Sequence, residues 1–132
     1  MSKPVVLIAD KLAQSTVTAL GDSVEVRWVD GPNRAELLAA VPEAEALLVR
    51  SATTVDAEVL EAATKLKIVG RAGVGLDNVD IPAASKKGVI VMNTPFGNSV
   101  TTAEHAIAMM FAVARQLPEA SASTHAGKWE KN

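Results

Sequence analysis

Five short runs rich in β-branched residues, each separated from the next by a helix-like pattern, set the narrowest limit on how this chain folds. They are "PVVLIA" (4–9), "VEVRWV" (24–29), "EALLVR" (45–50), "LKIVG" (66–70) and "GVIVMN" (88–93). Four are almost continuously apolar, as strands covered on both faces are. The second alternates apolar and polar residues and suits a sheet edge. Between them, residues 11–20 carry Leu12, Ala13, Val17 and Leu20 on one stripe, with Gly21 where a helix-ending glycine belongs. Asn33 precedes "RAELLAAV" with Glu36 three residues on, and Pro42 stops that helix. Residues 56–64 and a short "PAASKK" segment opened by Pro82 complete the alternation. Strand and helix in strict succession imply a parallel sheet with right-handed crossovers. The expected fold is therefore α/β: a five-stranded flavodoxin-like sheet in order 2-1-3-4-5 with helices on both faces, plus a long apolar C-terminal helix.

That last helix, "TTAEHAIAMMFAVARQLP", is expected over 101–117. Thr101 and Glu104 form a capping box, and Pro118 closes the helix. From Ala106 to Ala114 every residue is apolar. It is too short to span a bilayer, which takes about 20 residues. An all-apolar surface of this kind needs cover, from a second chain, an absent domain or its own core. The segment 118–132 is small and polar and reads as a loose tail. The organisation expected is thus 1–100 as a binding domain, 101–117 as an interface helix and 118–132 as a tail.

Composition narrows the function classes. With 132 residues, 48% of them hydrophobic, the chain can build one real core. A formal net charge of −2 offers no reason to expect nucleic acid or an anionic membrane as partner. Cysteine is absent, which excludes disulfides and thiolate metal sites, and no metal site is expected. The short apolar run after the N-terminal Met does not resemble a secretory signal, so a cytoplasmic location is expected.

"RAGVGLDNVD" (71–80) begins like a dinucleotide fingerprint. A fingerprint also needs a third small residue, a long helix aimed at the pyrophosphate and an acid about 20 positions on. Here those places hold Asn78, a short helix entered by Pro82, and Asn93. The glycine pair is left as a turn at the carboxyl end of the fourth strand. Gly73 and Gly75 either serve turn geometry alone or turn backbone N–H groups toward an anion. Arg50 and Ser51 after the third strand, Arg71 on the fourth and Asn93 on the fifth stand at the same end of the sheet, where α/β ligand sites lie. Two arginines beside glycine amides favour a carboxylate or phosphate. His105 and His125 have no neighbouring base or nucleophile pattern and are not expected to be catalytic. A receiver-type phosphorylation site would need paired acids after the first strand, an Asp after the third and a Lys after the fifth, where this chain has Asp10 alone, Arg50 and Asn93.

"VRSATTV", "GRAGVGLDNVD" and "GVIVMNTPFGNSVTTAEHAIAMM", in that order, closely resemble the D-2-hydroxyacid dehydrogenase family. The likeness is nearest to members that oxidise a phosphorylated 2-hydroxy acid with NAD at the start of serine biosynthesis. The resemblance implies that this chain is the flavodoxin-like substrate-binding portion, with the catalytic histidine and the cofactor domain outside it. It also implies that the chain alone binds no cofactor and is inactive. By the same resemblance Arg50 and Arg71 face the substrate's anionic end. Gly73, Val74 and Gly75 meet its carboxylate, and Val74 also lies near the nicotinamide of NAD. Asn98 contacts substrate, and Ser51 and Asn93 line the cleft. The apolar helix packs against the cofactor domain and a dimer partner. The alternative that remains open is a homo-oligomeric interaction or anion-binding module without catalysis.

Overall fold

The computed structural model describes residues 2–128. The chain divides into two compact units, Met1–Gly97 and Asn98–Asn132. The first contains β1 (Val5–Ile8), α1 (Gln14–Ala19), β2 (Glu25–Trp28), α2 (Arg34–Ala40), β3 (Ala46–Val49), α3 (Ala57–Ala62), β4 (Ile68–Arg71), α4 (Ile81–Lys86) and β5 (Ile90–Asn93), with a 3-10 turn at Val41–Glu43. All four strand pairings are parallel, in the order β2-β1-β3-β4-β5. The expected strand order is therefore the observed one, and the alternating second run forms an edge.

Local chemistry explains the helix ends. Asn33 accepts from the Glu36 N–H at 3.4 Å while its amide donates to the Glu36 carboxylate at 2.7 Å, a reciprocal cap. Pro42 enters the 3-10 turn and ends α2 as expected. Gly21 follows α1 with φ +69°, the left-handed position that glycine fills at least cost. Asp56 caps α3 by accepting from Val59 N–H at 3.1 Å, and Asp80 caps α4 by accepting from Ala83 N–H at 2.9 Å.

The core lies on one side of the sheet. Leu47, Val49 and Val69 point into it and meet Leu37 of α2, Val41 of the 3-10 turn, Val59 and Leu60 of α3, and Ala84 of α4. On the other face, cover fades along the register row from Ile8 (0% exposed) to Met92 (57%), with Leu48 and Gly70 between them half-buried. Within the first unit α1 lies on this side, and its six residues include none that is buried. Helices on both faces were expected; full cover is reached on one. The stripe Leu12, Val17, Leu20 is half-buried because α1 is too short to shield β4 and β5.

Asp56 and Glu58 also receive the Arg34 guanidinium, the Asp56 pair at 2.6 Å, which ties α2 to α3. Burial pushes the Asp56 carboxyl up, but hydrogen bonds from Arg34 and from Val59 N–H outweigh it and hold the pKa below the ordinary carboxylate value. A carboxylate with a depressed folded-state pKa stabilises fully above about pH 4 and loses that contribution as pH falls through the lowered value. Asp56→Asn keeps a capping oxygen and removes the charge. Its carboxylate is 46% exposed, so the expected loss is only ~0.5 kcal/mol near neutrality. Urea unfolding should show that gap closing on acidification; a gap that widens would contradict the assignment.

The second unit contains α5 (Ser99–Ala114) and α6 (Leu117–His125). The helix expected over 101–117 thus starts and ends earlier. Thr101 and Glu104 lie inside it rather than forming its cap, and Asn98 stands at the N-cap without a side-chain bond. The chain breaks at Gln116, whose φ of 48° is left-handed. Pro118, which has no N–H to donate back into a continuing helix, explains the break. The same proline suits a first turn, so the expected loose tail instead opens α6. None of α5's residues is buried. Among the described residues no helix is long and apolar enough to cross a membrane.

Candidate functional site

Two turns at the carboxyl ends of the central strands carry the candidate residues. The first, Arg50–Thr53, follows β3 and is fastened to the residues after β1. Asp10 Oδ2 accepts from Arg50 N–H at 2.6 Å and from Thr53 N–H at 3.3 Å, and the buried Thr53 hydroxyl donates to Ala9 C=O at 3.1 Å. Gly31 closes over this junction. A Cβ there would lie 2.0 Å from Thr53 Oγ1 and 2.5 Å from Ala9 O.

The second turn is the glycine loop. Ala72 N–H continues the ladder to Val49 C=O at 2.8 Å, and Gly73 N–H then bends back to Arg71 C=O at 3.0 Å. Gly73 therefore does not offer its amide, contrary to what a nest of both glycines requires. Among the described residues the N–H groups of Val74 and Gly75 have no protein partner. The Arg71 guanidinium folds against the loop: a Cβ on Gly73 would sit 1.7 Å from Arg71 Nη1. Arg71 Nε is buried with no partner, an unmet donor that a bound acceptor would satisfy. Asn93 steadies the loop by donating to Val74 C=O at 2.8 Å. A carboxylate already flanks it, since Asp77 Oδ1 would lie 2.8 Å from a Cβ on Gly75. Any anion binding there must compete with that charge.

Asn78 joins the two turns. Its side-chain amide donates to Arg50 C=O and to Thr53 C=O, both at 2.6 Å, and its own C=O accepts from Val55 N–H at 2.8 Å. Sequence reasoning missed Asp10, Gly31, Thr53 and Asn78. Their signal was position alone, since Asp10 and Gly31 follow strands β1 and β2 and Asn78 lies inside the glycine loop.

The two arginines do not converge on one concavity. Arg50 and Ser51 line a cavity of about 430 Å³ with Asp10, Lys11, Trp28 and Asp30. Arg71 and Asn93 line a neighbouring groove of about 290 Å³ with Leu48, Ile68, Met92 and Thr94. Arg50 is drawn toward β1, where its Nη1 donates to Lys11 C=O at 3.3 Å, while Arg71 turns onto Gly73. Ser51 and Asn93, expected in the same cleft, are likewise divided between the two. Asn98 belongs to the second unit, where its C=O accepts from Thr102 N–H at 2.9 Å. His105 and His125 belong there too, and His125 Nδ1 lies 2.8 Å from Ser121 C=O.

A dinucleotide does not fit the glycine loop. The helix that follows has six residues, and its N-terminus, where a pyrophosphate would rest, is already capped by the Asp80 carboxylate. Among the described residues no three His, Asp or Glu are grouped to hold a metal.

Residues 6–128 match the family model described as D-isomer specific 2-hydroxyacid dehydrogenase, catalytic domain. The chain belongs to this family. It is 69% identical to the D-3-phosphoglycerate dehydrogenase of Mycobacterium leprae over 132 residues, all of this chain and 25% of that protein. It is 48% identical over 127 residues to the human D-3-phosphoglycerate dehydrogenase, 96% of this chain and 24% of that one. The solved structure of the NAD+-bound 3-phosphoglycerate dehydrogenase of Entamoeba histolytica aligns with a TM-score of 0.69 at 28% identity, over 84% of this chain and 39% of that chain. This 2-hydroxyacid dehydrogenase chain therefore spans about a quarter of the length of the curated relatives it matches.

Proposed function

We propose that this chain is the substrate-binding portion of an NAD-dependent dehydrogenase that oxidises 3-phosphoglycerate, the step that opens serine biosynthesis, in the cytoplasm. The relatives bearing that name support the substrate. The observation that carries the reading is the glycine loop itself, with two unengaged amides at Val74 and Gly75 beside a guanidinium whose buried Nε lacks a partner. A carboxylate supplies the acceptors that this arrangement wants. Arg50, one strand away, is the residue proposed to meet the phosphate at the substrate's other end. Asn98 and the exposed Val74 side chain are proposed as further contacts, Val74 toward the nicotinamide of a cofactor held elsewhere.

The isolated chain is proposed to bind substrate weakly and to catalyse nothing. Hydride transfer requires donor and acceptor held face to face with an acid–base group, and the glycine loop does not fit a dinucleotide. Titration with 3-phosphoglycerate tests the binding half. Saturable amide shifts at Val74 and Gly75 are expected, larger than at Gly73, whose N–H is engaged. Unmoved amides at millimolar ligand would overturn the site.

The apolar run of α5 is proposed as an interface, with homodimer formation its consequence when no other domain covers it. Phe111 is 65% and Met110 63% exposed. Sedimentation at micromolar concentration should give a dimer, and a clean monomer refutes this.

A further inference from the structure

The cavity that Arg50 lines is a separate place from the glycine loop, and its chemistry differs. It is built from the residues that follow β1, β2 and β3. In the order β2-β1-β3-β4-β5, the connection leaving β1 runs to one side, toward β2, and the one leaving β3 runs to the other, toward β4. The crevice between those divergent connections is where open α/β sheets most readily take a ligand. At about 430 Å³ the cavity has the volume of a small-molecule site.

Its walls state what would fit. Trp28 ends an edge strand and is 53% exposed. Val29, Pro32 and the small residues Ala9 and Ala52 line the cavity with it, so much of the lining is apolar. Lys11 and Arg50 bring two cations to the lining, and Asp10 and Asp30 bring two carboxylates. Asp10 is spent on the N–H groups of Arg50 and Thr53, and among the described residues neither Lys11 nor Arg50 is in an ion pair. An exposed tryptophan in one cavity with two cations outside any ion pair suits a ligand with a flat face and a negative charge that outcompetes Asp30, because stacking and charge pairing then act together.

We propose that this cavity is a second binding site, sharing only Arg50 with the 3-phosphoglycerate reading, for a planar aromatic ring bearing a carboxylate or phosphate. The ring stacks on Trp28 and the anionic group pairs with Lys11 and Arg50.

Two probes separate the sources of the anionic group: indole-3-acetate for an aromatic carboxylate and adenosine 5′-monophosphate for an aromatic phosphate. Inorganic phosphate serves as the ringless control. Amide and indole N–H shifts of the full chain should saturate at Trp28, Lys11 and Ala52 with at least one ring-bearing probe at millimolar concentration. Whichever probe binds more tightly names the anion. Trp28→Ala should weaken that binding about tenfold or more, and Lys11→Ala should weaken it independently. Both are exposed positions, and circular dichroism establishes that each variant is folded. If Trp28→Ala does not fold, Trp28→Leu and Lys11→Ala carry the test. Equal shifts with inorganic phosphate, no shifts with either ring, or unchanged affinity in folded variants at both positions would overturn the proposal. The 3-phosphoglycerate shifts at Val74 and Gly75 are a separate readout, so either site can fail without the other.

Discussion

Gly31→Ala should cost the first unit about 3 kcal/mol, at the severe end of overpacking changes. The added methyl would lie 2.5 Å from the Ala9 carbonyl oxygen and 2.0 Å from the Thr53 hydroxyl. Neither neighbour can yield. The carbonyl belongs to Ala9, buried just beyond β1, and Thr53 is itself fully buried and bonded to that same carbonyl at 3.1 Å. Relief requires moving the segment after β2 away from β1, which opens the junction that Asp10 and Thr53 close. Denaturant unfolding measures the effect directly, and the melting point should fall by roughly 12 °C or more. A loss below about 1 kcal/mol would mean that the close approach of Gly31 to Ala9 is not tight.

Gly73→Ala should act elsewhere: it strains the loop, whose φ of +159° side-chain-bearing residues rarely adopt, at a cost of about 1–2 kcal/mol that leaves the unit folded, and abolishes most of the anion binding. Here the added methyl would meet the far end of a flexible side chain, Arg71 Nη1 at 1.7 Å and Cζ at 2.7 Å. The guanidinium can swing clear at little cost, but it then no longer lies beside the amides of Val74 and Gly75. Losing one charge-assisted partner is worth about 1.5–3 kcal/mol, so affinity for 3-phosphoglycerate should drop by roughly tenfold to a hundredfold. Amide titrations of the variant beside its urea midpoint make the comparison. If the variant binds as the parent does, Arg71 takes no part in anion binding. If it unfolds, the loop is a structural element first.

The contrast between these two glycines explains what could be read in advance. Gly73 stands out in the sequence because a neighbouring Gly75 and Arg71 give it a local context. Gly31 does not, since the groups that demand it are Ala9 and Thr53, more than twenty residues away in either direction. Asn78 shows the same limit. As a third fingerprint position it looked like a defect, yet in the fold its amide bridges Arg50 and Thr53, residues 28 and 25 positions earlier. The direction of each arginine was equally hidden. Arg50 and Arg71 lie at neighbouring strand ends, and only the competition among nearby carbonyls and open space sends one toward Lys11 and folds the other onto Gly73.

Residues 101–128 illustrate a further boundary between local and distant information. Helix formation over most of "TTAEHAIAMMFAVA" follows from composition, but the start at Ser99, the turn at Gln116 and the recovery of helix after Pro118 depend on how the backbone resolves a proline.

What the sequence by itself determined were the strands, most helix ends and the sheet order, because side-chain period, capping residues and the handedness of crossovers act over short stretches of chain. The family was legible for the same reason, since its three motifs are contiguous. Tertiary structure alone decided which amides of the glycine loop are free, how the two cations are divided between cavities, and which sheet face stays open. Those outcomes arise from hydrogen bonds and packing between segments far apart in the chain, and no local pattern encodes the competition that settles them.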